Sequence, residues 1–384
     1  MGKDAERTHV GFLLPALYGG GVERVFLDLA KGMAQRGLRV EVVVAGDEGP
    51  LRKGVPPGVS LVSLGLSPRF RLVRAYPFLQ EYLARTRPAW VLPAWDYFDL
   101  VPLRAAWHAG ASTLFVLHNA PDYYDDLPPL KRRLALWGAR WSLQELLKRE
   151  ERGQALVGGV SQGVLEEFER RFALPLKNKE VFPNPIDLGR VYALAEAPCP
   201  HPWAAEGRPF FLAVGRLHPQ KAFDLLLEAF ALFRRGWGED IRLLILGEGP
   251  DRQRLEALRQ ALGLAGAVDL PGFATNPYPC FRRATAFLLT SFYEGFGLVL
   301  LEALALGVPV VAARSRGGAR EALGNGAWGL WTERSPEALA QAMAKALHGE
   351  VPVPSAQELR DHLDRHSLEN VTAHYLRRMR LERP

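Results

Sequence analysis

The stretch TSFYEGFGLVLLEALALGVPVV, residues 290–311, decides the reading of this chain. A short apolar run, a glycine turn, a longer apolar run and a second short one follow each other. That is the order of strand, turn, helix and strand in a parallel α/β unit. Two carboxylates do not fit a simple core segment. Glu302 lies about one turn into a helix that is apolar nearly all round, and Glu294 stands eight positions earlier, just before Gly295-Phe296-Gly297. A buried carboxylate is costly unless donors meet it. Sugar hydroxyls could be those donors, and the free amides and positive dipole end at the helix start suit a phosphate. The plainer alternatives are a core arginine or solvent for Glu302 and a solvated loop for Glu294.

Outward from this stretch the same rhythm continues. Residues 210–216, 241–249, 267–273, 286–291 and 308–313 read as strands. Residues 222–236, 251–263 and 297–307 read as the helices between them. Upstream, residues 8–16, 39–46, 89–95, 112–118 and 155–161 read as buried strands, with a helix over 22–37 ending at Gly37. The proline-rich segment 193–209 reads as an irregular boundary between two α/β domains, and 367–384 as a terminal helix. In open α/β sheets ligands bind beyond the carboxyl ends of the strands. The candidate chemistry gathers there: Arg216 and Lys221 in VGRLHPQKAF, the glycine turns at Gly249 and Gly272, and Glu294. A lysine at a helix start gains little from the dipole, so these cations make better sense beside an anion.

The bulk numbers set limits. The chain has 384 residues, 48% hydrophobic and 23% charged, long enough for two domains. The N-terminal apolar run is followed at once by a glycine turn and reads as a first strand rather than a signal peptide. A net charge of +6 favours anionic partners. Two cysteines, Cys199 and Cys280, are too few for a disulfide framework; they fit a reducing compartment and argue against a structural metal. LYGGGVERVF resembles a dinucleotide fingerprint, with Asp47 placed to hold a ribose, but Arg24 occupies the third glycine position. Residues 127–153 are basic and carry Trp137 and Trp141. They read either as a helix lying on an anionic membrane or as one packed on its own sheet with a solvated basic face.

Together Gly215-Arg216 with Lys221, Gly247-x-Gly249-Pro250, Gly272-Phe273 and Glu294-x7-Glu302 resemble the retaining glycosyltransferases of family 4. The resemblance implies the GT-B fold: two Rossmann-like, doubly wound α/β domains facing a central cleft. The expected boundaries are 1–190 for the acceptor domain, 205–360 for the donor domain, and 361–384 for a helix crossing back to the first domain. It implies that Arg216 and Lys221 bind the donor diphosphate and stabilise the leaving group, as does the backbone at Phe296, Gly297 and Leu298. Glu302 would hold the ribose and Glu294 would contact the donor sugar near its reacting carbon. Gly249 would belong to the donor site, Gly272 and Phe273 would border the base, and Gly21 would face the phosphate. His118 would lie near the donor sugar and acceptor. The catalytic set is then Glu294, His118, Arg216 and Lys221, with no metal and no cofactor beyond the nucleotide sugar. Ala222 departs from the family's glycine, and Pro185 in FPNPID replaces another.

The function implied is transfer of a hexose or N-acetylhexosamine from a UDP-linked donor to a glycan or lipid-linked acceptor, in cell-surface polysaccharide or glycolipid synthesis. The location expected is cytoplasmic and peripheral on the inner face of an anionic membrane, with no nucleic-acid partner. The rivals are a GT-B epimerase or phosphorylase, a glycoside hydrolase using Glu294 and Glu302, and a non-catalytic nucleotide-sugar-binding subunit.

Overall fold

The computed structural model describes residues 8–66, 71–94, 100–119, 127–176, 178–237 and 240–382. Trp95, where one expected strand closed, and the last two residues of the expected tail helix lie outside them. The chain divides into two units, Met1–Ile186 with His366–Pro384, and Asp187–Arg365.

The first unit holds β1 (His9–Leu14), β2 (Arg39–Val44), β3 (Val59–Ser63), β4 (Trp90–Pro93), β5 (Ser112–Leu117), β6 (Ala155–Gly159) and β7 (Glu180–Val181). They form one parallel sheet in the order β3-β2-β1-β4-β5-β6-β7. All six residues of β1 are buried. A central parallel strand covered on both faces reads as an unbroken apolar run, which is why the sequence shows it plainly. One acid enters the sheet at Glu41, which accepts from Arg39 at 2.6 Å and from the Tyr82 hydroxyl, with His9 at 3.4 Å. Hydrogen bonding to His9, Tyr82 and Arg39 outweighs burial and holds its carboxyl down at about 2. The helix Leu368–Arg378 belongs to this unit and packs on Gly21–Gln35. A Cβ at Gly32 would come within 2.1 Å of Thr372 Oγ1, so the glycine permits that close crossing.

The second unit holds β8 (Phe210–Val214), β9 (Arg242–Leu246), β10 (Val268–Gly272), β11 (Ala286–Leu289), β12 (Tyr293–Glu294), β13 (Val310–Ala313), β14 (Arg316–Gly317) and β15 (Leu330–Thr332). Six make a parallel sheet in the order β10-β9-β8-β11-β13-β15, and β12 pairs separately with β14. The helices Phe223–Trp237 and Pro336–Leu347 pack together and close one face with Phe230, Phe233, Leu339 and Met343. In β10 the register shifts between Asp269 and Gly272, around Pro271, which has no amide to give.

Two expectations are corrected. Segment 193–209 is not simply irregular: it contains the end of the helix Leu188–Ala195 and the turn of helix Pro202–Ala205, all within the second unit. The cysteines are not two free thiols but a disulfide, Cys199–Cys280, with Cα atoms 5.0 Å apart across a sequence separation of 81. Spacing alone could not show this, because the fold brings the pair together.

Candidate functional site

In the second unit the site grows from three loops at the carboxyl ends of β8, β11 and β13. The β8 loop carries Gly215, an exposed Arg216 and the 3-10 turn Pro219–Lys221. Lys221 therefore ends a separate short turn before the helix Phe223–Trp237 and does not open that helix. Its Nζ donates to Glu294 Oε1 at 2.6 Å, and the Ser291 hydroxyl donates to the same oxygen at 2.5 Å. The two loops are also joined through backbone. Phe292 N donates to Gln220 O (2.8 Å), Gln220 Nε2 to Tyr293 O (2.9 Å) and Thr290 Oγ1 to Lys221 O (2.8 Å).

Glu294 is thus no solvated loop acid. It lies in β12, only 7% exposed, and Gly318 N donates to its carbonyl at 3.0 Å. Arg334, which sequence reasoning missed, braces the same loop. Its Nη1 donates to Thr290 O (2.9 Å) and Ser291 O (2.8 Å), and its guanidinium lies 4.0 Å from the Phe292 ring centroid. Burial lowers the pKa of Arg334, while Asp224 acts to raise it. The only sequence signal was a basic residue soon after a strand, too common to single out.

Glu302 is corrected in the other direction. In the helix Leu298–Ala305 the buried residues are Leu300, Leu301, Ala303 and Leu304. Glu302 is half-buried, on the stripe shared with Leu298 and Ala305, so it is not a core acid. Its Oε1 accepts from the Tyr278 hydroxyl at 2.8 Å, and Tyr278 is buried. Gly297 caps this helix at φ 81°, a conformation that favours glycine. The Leu298 and Val299 amides fall in the first turn, where the helix offers no carbonyl to accept them. Phe296 is buried, so its side chain belongs to the packing.

The glycines separate into two kinds. A Cβ at Gly247 would lie 1.8 Å from the Gly215 carbonyl oxygen, and one at Gly249 would lie 2.2 Å from that of Leu217. Main chain packs on main chain there, and glycine is demanded by the fold itself. Gly272 has φ +106°, and a Cβ there would lie 3.0 Å from Glu248 Oε1. The neighbouring Phe273 is 52% exposed. Gly21 is different: it opens the helix Gly21–Gln35, is exposed, and an added Cβ would meet nothing within 4 Å. Among the described residues no packing requires a glycine there.

Ala222 takes φ 47°, ψ 47°, the left-handed conformation in which the family's glycine would sit. Its strain of about 1–2 kcal/mol is set against a buried methyl worth roughly 0.8 kcal/mol, so the departure is tolerable.

In the first unit His118 follows β5 directly. Both ring nitrogens are shielded and without hydrogen-bond partners, although the residue as a whole keeps some exposed surface, and Phe26 meets the ring edge-on at 5.4 Å. Burial pushes its pKa down to about 4, so the ring is neutral near pH 7. Asp47, the ribose candidate of the rejected dinucleotide reading, is exposed and bound to Arg52. The structure brings Lys221, Glu294 and the start of the Leu298–Ala305 helix into one cluster, with Arg216 on the loop beside it.

Two Rossmann-like units with these parallel sheets define the GT-B fold. Residues 19–190 match the family described as Glycosyltransferase Family 4, and residues 202–367 match Glycosyl transferases group 1. The chain belongs to glycosyltransferase family 4. It is 36% identical over 173 residues to a 4-alpha-N-acetylgalactosaminyltransferase of Campylobacter jejuni that acts on N-acetylgalactosamine-N,N'-diacetylbacillosaminyl-diphospho-undecaprenol; this covers 45% of each chain. The match thus spans less than half the length of that relative. It is 29% identical to D-inositol 3-phosphate glycosyltransferase of Nocardia farcinica over 81% of this chain and 73% of that one. Among solved structures it resembles Anabaena HepE, determined with UDP and glucose, at a TM-score of 0.76 and 18% identity, covering 97% of this chain and 100% of HepE.

Proposed function

We propose that this chain is a retaining glycosyltransferase that moves a hexose or N-acetylhexosamine from a UDP-linked donor to a glycan or lipid-linked acceptor. The observation that carries the reading is the cluster at the strand ends: Lys221 ion-paired to a buried Glu294 beside a glycine-capped helix start. In this reading Arg216, Lys221 and the Leu298 and Val299 amides meet the negative charge of the departing nucleoside diphosphate. Positive charge grows at the anomeric carbon, near Glu294, and the acceptor hydroxyl attacks from the face the leaving group vacates. Glu302 holds the ribose hydroxyls. His118, neutral at pH 7, offers a hydrogen bond to sugar or acceptor without adding charge.

A hydrolase using Glu294 and Glu302 as acid and nucleophile fits less well. Glu294 is engaged as an acceptor by both Lys221 and Ser291, and the cations would have no role.

The acceptor reading draws on the helix Pro129–Glu151. Leu130, Leu134, Trp137 and Trp141 form one exposed stripe at spacings of four, three and four. Lys131, Arg133 and Arg140 flank it, and residues 127–144 contain no acid. Such a face suits an anionic lipid surface carrying a lipid-linked acceptor. Among the described residues no helix is long and apolar enough to cross a membrane.

The test is thermal stabilisation by UDP, GDP and ADP and their sugars, followed by turnover with the conjugate that binds. One nucleotide should raise the unfolding temperature, and Glu302→Ala should abolish the effect. No stabilisation by any of them would overturn the reading. Retention is tested separately by the anomeric configuration of the product.

A further inference from the structure

Glu302 stands on a half-exposed helix face, and a glutamate side chain there has three freely turning bonds. Its carboxylate accepts from the Tyr278 hydroxyl, 2.8 Å from Oε1. Tyr278 opens a helical turn of four residues, Tyr278–Phe281. A helix that short has no stability of its own.

The surroundings supply the stability. Cys280, two residues after Tyr278, is bonded to Cys199. Asn276 Nδ2 donates to Leu194 O at 2.8 Å, and Asn276 Oδ1 accepts from Tyr278 N at 3.3 Å. Arg282 pairs with Glu196 on the far side of the turn. Phe281 is fully buried and stacks on Phe287 at 5.1 Å. The ties of Asn276, Cys280 and Arg282 all run to one segment, residues 194–199. The turn is bolted to that segment, and its tyrosine reaches the ligand-facing acid.

We propose that Tyr278 is the positioning residue for Glu302, and that the Cys199–Cys280 disulfide fixes Tyr278 in that role. The inference rests on the proposed function, since it deepens the ribose-holding part of the donor site. A carboxylate offers several acceptor positions, and one bond from Tyr278 orients the rest toward a pair of hydroxyls.

The experiment measures calorimetric dissociation constants for UDP, GDP and ADP, each with its 2′-deoxy counterpart. The wild type, Tyr278→Phe, Glu302→Ala and the double variant Cys199→Ser/Cys280→Ser are compared. In the wild type the ribose form of one nucleotide should bind better than its deoxy form. Tyr278→Phe should weaken the ribose form about tenfold and the deoxy form little, so that the preference collapses as in Glu302→Ala. The double cysteine variant should lose about threefold of the preference. A merely structural tyrosine would lower both affinities together and keep their ratio. An unchanged ratio in Tyr278→Phe overturns the positioning role, and an unchanged ratio in the cysteine variant overturns the part assigned to the disulfide. Absence of binding to every nucleotide by the wild type overturns the proposed function itself, and this inference with it.

Discussion

Replacing Lys221 by methionine keeps the length of the side chain and removes its charge from the pair with Glu294. At 2.6 Å and an effective dielectric of about 20, the pair attracts by roughly 6 kcal/mol before desolvation. Both partners are mostly out of water, the side chains 17% and 9% exposed, so desolvation takes back much of that. The loss is nevertheless large, because among the described residues the Ser291 hydroxyl alone would be left to answer the buried Glu294 carboxylate. We expect Lys221→Met to cost about 3 kcal/mol. For a unit the size of Asp187–Arg365 that is roughly 6–12 °C in unfolding temperature. Glu294→Gln should cost about half as much, since Lys221 can extend toward water. The double variant should recover to within about 1 kcal/mol of the wild type, since neither charge is then left alone. Scanning calorimetry of the four proteins measures the cycle. A Lys221→Met protein within about 0.5 kcal/mol of wild type, or a double variant no better than the worse single one, would refute the reasoning.

Three other outcomes follow from the same structure. Burial holds His118 at about 4, below an unfolded value near 6.5, so the folded state declines a proton the unfolded chain accepts. Its contribution is lost as pH falls through that window, by about 1.4 kcal/mol per unit, and His118→Phe should flatten the stability–pH curve of its unit between pH 6.5 and 4. Gly249→Ala should destabilise by about 3 kcal/mol through the Leu217 carbonyl, whereas Gly21→Ala should leave urea unfolding unchanged or slightly improved. Trp137→Ala with Leu134→Ala should reduce sedimentation with anionic vesicles several-fold and leave neutral-vesicle controls unaffected; equal losses on both would speak against the lipid face.

The fold was legible where burial is one-sided in composition. β1, β8, β9, β11 and β13 are covered on both faces and show as apolar runs, while β2 is broken by Glu41 and β5 opens on Ser112 and Thr113. β7, β12 and β14 have two residues each, too few to carry a period, and β3 is only partly buried. Glu294 and Glu302 were recognisable from their spacing, but their surroundings were exchanged. The apparently loop-borne acid is the buried one, because β14 and Lys221 arrive from distant sequence to enclose it. The acid within the apolar helix lies on the half-open stripe, because an eight-residue helix completes barely two turns and has few positions to bury. Tyr278, Ser291 and Arg334 carry no motif of their own and become meaningful only through partners between 3 and 44 residues away.

The contacts at Gly215–Gly247 and Leu217–Gly249 have a consequence for how this protein could be altered. Where peptide groups abut with no side chain between them, selection has nothing to vary: a side chain at Gly247 or Gly249 meets a carbonyl, and no neighbouring side-chain change makes room for it. The two loops are frozen as a pair, whatever donor they serve. Diversity in what is recognised must then be written on residues free to change without moving that seam, such as Phe273 and Phe292 at its margin. A library confined to those two positions would explore recognition while leaving the frame intact.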